Sequence, residues 1–220
     1  MKKITIFNAE SAYYYFTDAR YRGSILGSTK LYCDSASLSL VLRLKGIIHS
    51  RLHGPNFMEH VLLSKTNYSV MVVGGTREAH SKLLSKYPNN RLKFNYKKID
   101  DDEIKVICDE VNSFQPDFIF ICLGLKKQEY VMNQIWNEFS HKKIFENSVI
   151  SGVGAAIDFL GDTKKRSGVF WQRIGLEWLP RLLREPRMFV RIMRSIVGCV
   201  FVIHHSDKFL DDNLKFGVRF

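Results

Sequence analysis

Several polar residues fall at or just beyond the ends of apolar runs, where a sheet would gather them: Asn8, Asp34, Arg51, Gln128, Glu129 and Asp158. A carboxylate facing a phosphate-binding crevice can act as general base toward a hydroxyl. Arginine can neutralise a departing diphosphate, and an amide can orient sugar hydroxyls. Glycines occupy the same places: Gly74 and Gly75 after Val73, Gly124 after Leu123, Gly152 and Gly154 after Ser151. Glycine lets the backbone come close to a ligand, and the helix that follows presents free N–H groups to phosphate. This kit suffices for sugar transfer from a nucleotide sugar without a metal, although spacing does not single that reaction out. Each member also has a plainer reading. Asp34 and Ser35 precede an apolar periodic run and read equally as helix-cap residues; the glycines read equally as short turns.

The elements that would hold these residues alternate along the chain. Strands are predicted at residues 3–7, 30–33, 69–73, 92–96, 117–123 and 148–151, with helices at 9–20, 38–48, 58–64, 77–87, 100–114 and 126–139. Short apolar strands alternating with helices indicate βαβ units and a parallel sheet, hence an α/β, Rossmann-like fold with helices on both faces. In such a sheet the ligand crevice lies beyond the carboxyl ends of the strands. Gly152-Val153-Gly154 lacks the third glycine of a dinucleotide fingerprint, and no GxxxxGK[ST] or HExxH occurs. A nicotinamide enzyme is therefore disfavoured, and neither cofactor nor metal is expected. The acidic run Asp100-Asp101-Asp102 reads as the start of a helix, where carboxylates suit the macrodipole.

At 220 residues and a net charge of +11 the chain fits one domain plus an appendage, drawn to something polyanionic. No nucleic-acid module is recognisable, which leaves phosphorylated substrates or an anionic membrane surface. Cys33, Cys108, Cys122 and Cys199 are scattered and read as buried free thiols of a reducing compartment. The amino terminus lacks the apolar core of a signal peptide, and no uninterrupted run of eighteen apolar residues predicts a membrane span.

The segment Gly152-Val-Gly-Ala-Ala-Ile-Asp158-Phe-Leu-Gly161, with Arg166, Trp171 and Gly175-Leu-Glu-Trp178-Leu-Pro-Arg181-Leu-Leu-Arg184-Glu-Pro186-Arg187, resembles the signature of the WecG/TagA/CpsF glycosyltransferases. Gly124-Leu-Lys-Lys-Gln128-Glu129 is similar to that family's G-x-P-x-Q-E motif, Val73-Gly74-Gly75 to its glycine pair, and Arg51-Leu-His-Gly54-Pro55-Asn56-Phe57 to its R-x-x-G-x-D-[LF] motif. The resemblance implies inverting transfer from a UDP-sugar to a polyprenyl-diphosphate-linked acceptor, by a protein peripheral to the cytoplasmic face of a bacterial membrane. The products are cell-surface polysaccharides such as teichoic acid or capsule. It implies Asp34 as general base, with Asn8, Arg51, Gly74, Gly75, Gln128, Glu129, Gly152, Gly154 and Asp158 around the donor. The pattern departs at four places, one being Ser167-Gly168 where the family often has Ala-Pro. Ser35-Ala36-Ser37 replaces the glycines of D-G-x-G, Ile6 replaces the threonine of T-x-N, and lysine replaces the proline before Gln128-Glu129. A changed donor sugar follows as the expectation; a non-catalytic binding partner in a polysaccharide complex is the alternative.

The division expected is a transferase domain over 1–168 and a basic appendage over 169–220. In the latter, Arg187, Arg191 and Arg194 share one helical face and Met188, Phe189, Ile192, Met193, Ile196, Val197 and Val200 the other. Such a helix either lies in a membrane interface or packs its apolar face on the main domain with the arginines solvated. The resemblance favours the first, with Arg166, Arg181, Arg184, Arg187, Arg191 and Arg194 toward the acceptor diphosphate and an anionic leaflet. Self-association stays open.

Overall fold

The structure is a computed structural model and describes residues 1–88, 91–95, 101–164, 188–212 and 214–218. Its strands are β1 (Lys2–Phe7), β2 (Lys30–Cys33), β3 (Ser69–Gly74), β4 (Arg91–Asn95), β5 (Phe118–Cys122) and β6 (Val149–Gly152). They form one sheet in the order β2-β1-β6-β5-β3-β4, with every pair parallel. The helices of this part are α1 (Ala9–Thr17), α2 (Ala19–Ile25), α3 (Ala36–Leu44), α4 (Gly54–Leu62), α5 (Arg77–Lys86), α6 (Asp101–Phe114), α7 (Lys127–Phe139) and α8 (Ala156–Leu160). Val70, Val72 and Phe120 pack under α4, α5 and α8, while Met71, Val73, Ile119 and Ile121 pack under α6 and α7. With both faces covered, β3 is buried throughout, and its apolar run is unbroken for that reason. The fold is Rossmann-like, as expected. The chain leaves β3 toward the β4 edge and leaves β5 toward β6, so a switch point opens beyond these neighbouring strand ends.

Element boundaries moved where capping chemistry intervened. The helix predicted over 9–20 is cut at Asp18, whose N–H closes α1 on the Tyr14 carbonyl while its carboxylate accepts the Tyr21 N–H of α2. The helix expected from residue 58 begins at Gly54, with Pro55 in the first turn, where a missing N–H costs nothing. All four cysteines are free, with Cys33 and Cys122 buried, and burial pushes both of those thiols up to about 12.

Beyond the first 164 residues come α9 (Met188–His205) and α10 (Asp207–Asp211). The expected boundary at 168/169 lies outside the described residues. Helix α9 lies along α1 so closely that a Cβ on Gly198 would stand 2.1 Å from the Ala9 carbonyl oxygen. Arg191 Nε reaches Glu10 Oε2 at 2.8 Å and Arg194 reaches Oε1 at 3.6 Å, over a carboxylate only 7% exposed. The apolar side points away: Phe189 is 59% exposed and Ile196 53%, with Val190, Met193, Val200 and Ile203 also open. The helix packs through the side that carries Gly198 and Val202, with Met188 buried too, contrary to its expected place on the open face, while Arg191 and Arg194 cover Glu10 and stay 47% and 39% exposed. After α10 the chain returns beside β2, where Leu31 donates to Lys215 O at 2.8 Å and Gly217 donates to Leu31 O at 2.7 Å. The open edge of β2 is thereby partly covered.

Candidate active site

Asp34 follows β2 directly, and its N–H donates to the Phe7 carbonyl at 2.9 Å, tying the carboxyl ends of β2 and β1 together. The cap of α3 is Ser35, not Asp34: Ser35 Oγ accepts from Leu38 N–H at 3.4 Å and from Ala9 N–H at 3.2 Å. That corrects the cap reading and leaves the Asp34 carboxylate available, with its side chain 36% exposed. Arg51 arrives from the next loop, which is stitched to the strand by Cys33 N–H to Ser50 O at 3.1 Å and Leu52 N–H to Cys33 O at 2.9 Å. Its guanidinium donates to the Asp34 carbonyl at 3.4 Å. His53 joins them, with Nδ1 2.6 Å from Asp34 Oδ1. Asn8 stands beside this group but serves the fold, since its side-chain oxygen caps α1 by accepting the Ser11 N–H at 2.9 Å.

Gln128 and Glu129 open α7 and are both buried. Gln128 Oε1 accepts the Gly154 N–H at 2.9 Å, and its Nε2 donates to Glu129 Oε1 at 2.8 Å. Glu129 Oε2 takes the Lys126 N–H at 2.8 Å. Burial pushes the Glu129 carboxyl up to about 7, against the hydrogen bonds that favour its anion. These two side chains brace the turn after β6 against the start of α7. Gly152 is pressed on the Gln128 side chain, whereas Gly154 faces open space. Lys126 has φ 73, a left-handed conformation closed to proline, so lysine at this point of the G-x-P-x-Q-E pattern goes with a different backbone.

Gly74 and Gly75 have φ 96 and 86, which a side chain would oppose. A Cβ would also stand 2.6 Å from Cys122 O at Gly74 and 2.8 Å from Ile157 Cγ2 at Gly75. The chain's own packing therefore requires both glycines. Under this turn His80 Nε2–H donates to Gly74 O at 2.7 Å and the ring stacks on Phe94; burial lowers its basicity. Asp158 lies in α8 with its carboxylate 13% exposed and paired to Lys164.

The first two groups adjoin. Gly54, next after His53, would place a Cβ 2.9 Å from the Val153 carbonyl, between Gly152 and Gly154. Arg166, Arg181, Arg184 and Arg187 lie outside the described residues. Arg191 and Arg194 pair with Glu10 and keep 47% and 39% of their side chains exposed.

The glycosyl transferase WecG/TagA/CpsF family profile matches residues 2–210, nearly all of the chain. The chain belongs to this family. Similar curated relatives are the N-acetylglucosaminyldiphosphoundecaprenol N-acetyl-beta-D-mannosaminyltransferases of Staphylococcus aureus strains MW2, NCTC 8325 / PS 47 and COL. Each is 29% identical over 157 residues, covering 68% of this chain. The chain spans 59% of the length of these relatives. Within the family pattern, His53 was not singled out from the sequence, although a signal existed. Two residues beyond Arg51 on extended backbone, it must share a side with it.

Proposed function

We propose that this protein is an inverting glycosyltransferase that moves a sugar from a UDP-sugar to a polyprenyl-diphosphate-linked acceptor. Family membership sets the reaction class. The observation that carries the site is Asp34, relieved of capping by Ser35 and standing beside Arg51 at the carboxyl end of the sheet. In this reading Asp34 takes the acceptor hydroxyl's proton while its oxygen attacks the anomeric carbon, and UDP departs with the bonding pair. Arg51 supports the departing diphosphate. The Gln128–Gly154 bracket shapes the donor side, with Gly154 giving it an open backbone surface. The relatives' names suggest N-acetylmannosamine as donor sugar and an N-acetylglucosaminyl diphospholipid as acceptor.

The membrane side of the proposal rests on α9. Its 18 residues have mean hydropathy 1.4 and only 17% of them are buried, so by length and composition it could cross a membrane. Gly198 and Glu10 hold it flat against α1, which suits a helix seated in the interface with its apolar face outward. The test offers labelled UDP-sugars one at a time with a synthetic N-acetylglucosaminyl diphospholipid in vesicles. Transfer from one donor, lost in Asp34→Asn, is expected. Binding of UDP with neither transfer nor hydrolysis of any donor would instead support a non-catalytic partner.

A further inference from the structure

The imidazole of His53 is held between two groups of the proposed site. Nδ1 lies 2.6 Å from Asp34 Oδ1, and Arg51 NH2 lies 3.4 Å from Nε2 on the other side of the ring. A guanidinium can only donate, so it faces the lone pair of the ring and leaves the proton on Nδ1, aimed at the carboxylate. The backbone fixes where the ring sits. His53 is extended, and Gly54 after it is the first residue of α4, wedged on the Val153 carbonyl. His53 is 30% exposed and Asp34 36%, so the pair stands at the protein surface and not in the core. Neither a cap nor core packing accounts for the contact, since Ser35 caps α3 and both side chains meet solvent.

We propose that His53 is a positioning residue for Asp34. Its Nδ1–H anchors Oδ1 and turns Oδ2 toward the acceptor hydroxyl. The proposal rests on Asp34 being the base. In the step itself the hydroxyl O–H bond breaks, its proton passes to Asp34 Oδ2, the oxygen bonds to the anomeric carbon, and the bond from that carbon to the diphosphate breaks toward UDP. His53 neither gains nor loses a proton.

Two variants separate this from a role in folding alone. His53→Ala removes the anchor and is expected to lower kcat about 10- to 100-fold, with the donor KM within about twofold of wild type. His53→Asn sets an amide N–H near the place of Nδ1–H and is expected to return kcat to within about threefold of wild type. Adding His53→Ala to Asp34→Asn should cost nothing beyond Asp34→Asn, because the histidine acts through the carboxylate. Wild-type kcat in His53→Ala, or a folded His53→Asn no better than His53→Ala, would overturn the role. Asp34→Asn at wild-type turnover would end the base assignment itself. A dead Asp34→Asn beside a fully active His53→Ala would end only the role given to His53. A readout free of turnover is the Nδ1–H proton resonance, assigned by its loss in His53→Ala. It should move in Asp34→Asn, and an unmoved resonance refutes the contact.

Discussion

The surface beyond β1 and β2 and the helix α9 both carry charged residues that the sequence assigns to binding, but the fold spends those charges differently. At the strand ends the structural work is delegated: Ser35 caps α3, Asn8 caps α1, and Asp34, held by His53, is left partly open to solvent beside Arg51. On α9 the charges themselves do the structural work. Arg191 and Arg194 close over the buried Glu10 beside the buried Met188 and Val202, and most of the other apolar side chains face outward. Charge at a surface is thus weak evidence for a ligand until its nearest buried counter-charge is known. A carboxylate as sheltered as Glu10 must be paired, and that need outranks solvation of an arginine.

The sharpest challenge to the first half is Asp34→Asn. Turnover should fall about 10²- to 10⁴-fold, as for loss of a general base, with thermal stability essentially unchanged. A large fall in Tm would mean that Asp34 holds structure after all. For the second half, Gly198→Val forces a side chain into the α1 backbone and should cost about 3 kcal/mol or more, or detach α9 outright. Amide exchange across α9 and α1 distinguishes the two outcomes, and native-like protection would break the packing account. Replacing Phe189, Ile196 and Val200 together by serine should leave stability within about 1 kcal/mol, because these positions are already exposed. Partition onto vesicles containing anionic lipid should nevertheless fall by about two orders of magnitude. Equal effects on both readouts would show that this face packs on protein.

The smallest expected effect repeats the inward-turned cation at the opposite end of the sheet. Lys3 is fully buried, with Nζ donating to Ser24 O, Leu26 O and Asn133 Oδ1 and lying over the Trp136 ring. Burial lowers its ammonium to about 8. Between about 8 and the ordinary lysine value near 10.4 the unfolded chain binds more protons than the folded one, so stability rises with pH across that window. Lys3→Met should abolish this rise while costing about 1–3 kcal/mol at neutral pH, since buried carbonyls lose their donor. Denaturant midpoints at pH 7.5 and 9.5 would check it; the same slope in both proteins would place the titration elsewhere.

Much of this was readable in the residues. Apolar runs of strand length punctuated by glycine yielded the parallel sheet, because a strand covered on both faces tolerates no polar interruption. The motif around Asp34, Arg51 and Gln128 was likewise visible as residue types. What each side chain does there was not. Gln128 and Glu129 turned out to brace the turn at Gly154, and Gly74 and Gly75 to answer Cys122 and Ile157, contacts between residues tens of positions apart. His53 passed unnoticed because its partner Asp34 is 19 residues earlier in the chain.

The sequence by itself therefore determined the α/β class, the family, and the fact that α9 has one charged and one apolar side. A periodicity of 3.6 separates two faces but carries no sign saying which is outward. Only the tertiary structure decided that. Gly198 admits the α1 backbone and Glu10 supplies the buried charge, and both lie on the arginine side of the helix, so the apolar side is left open.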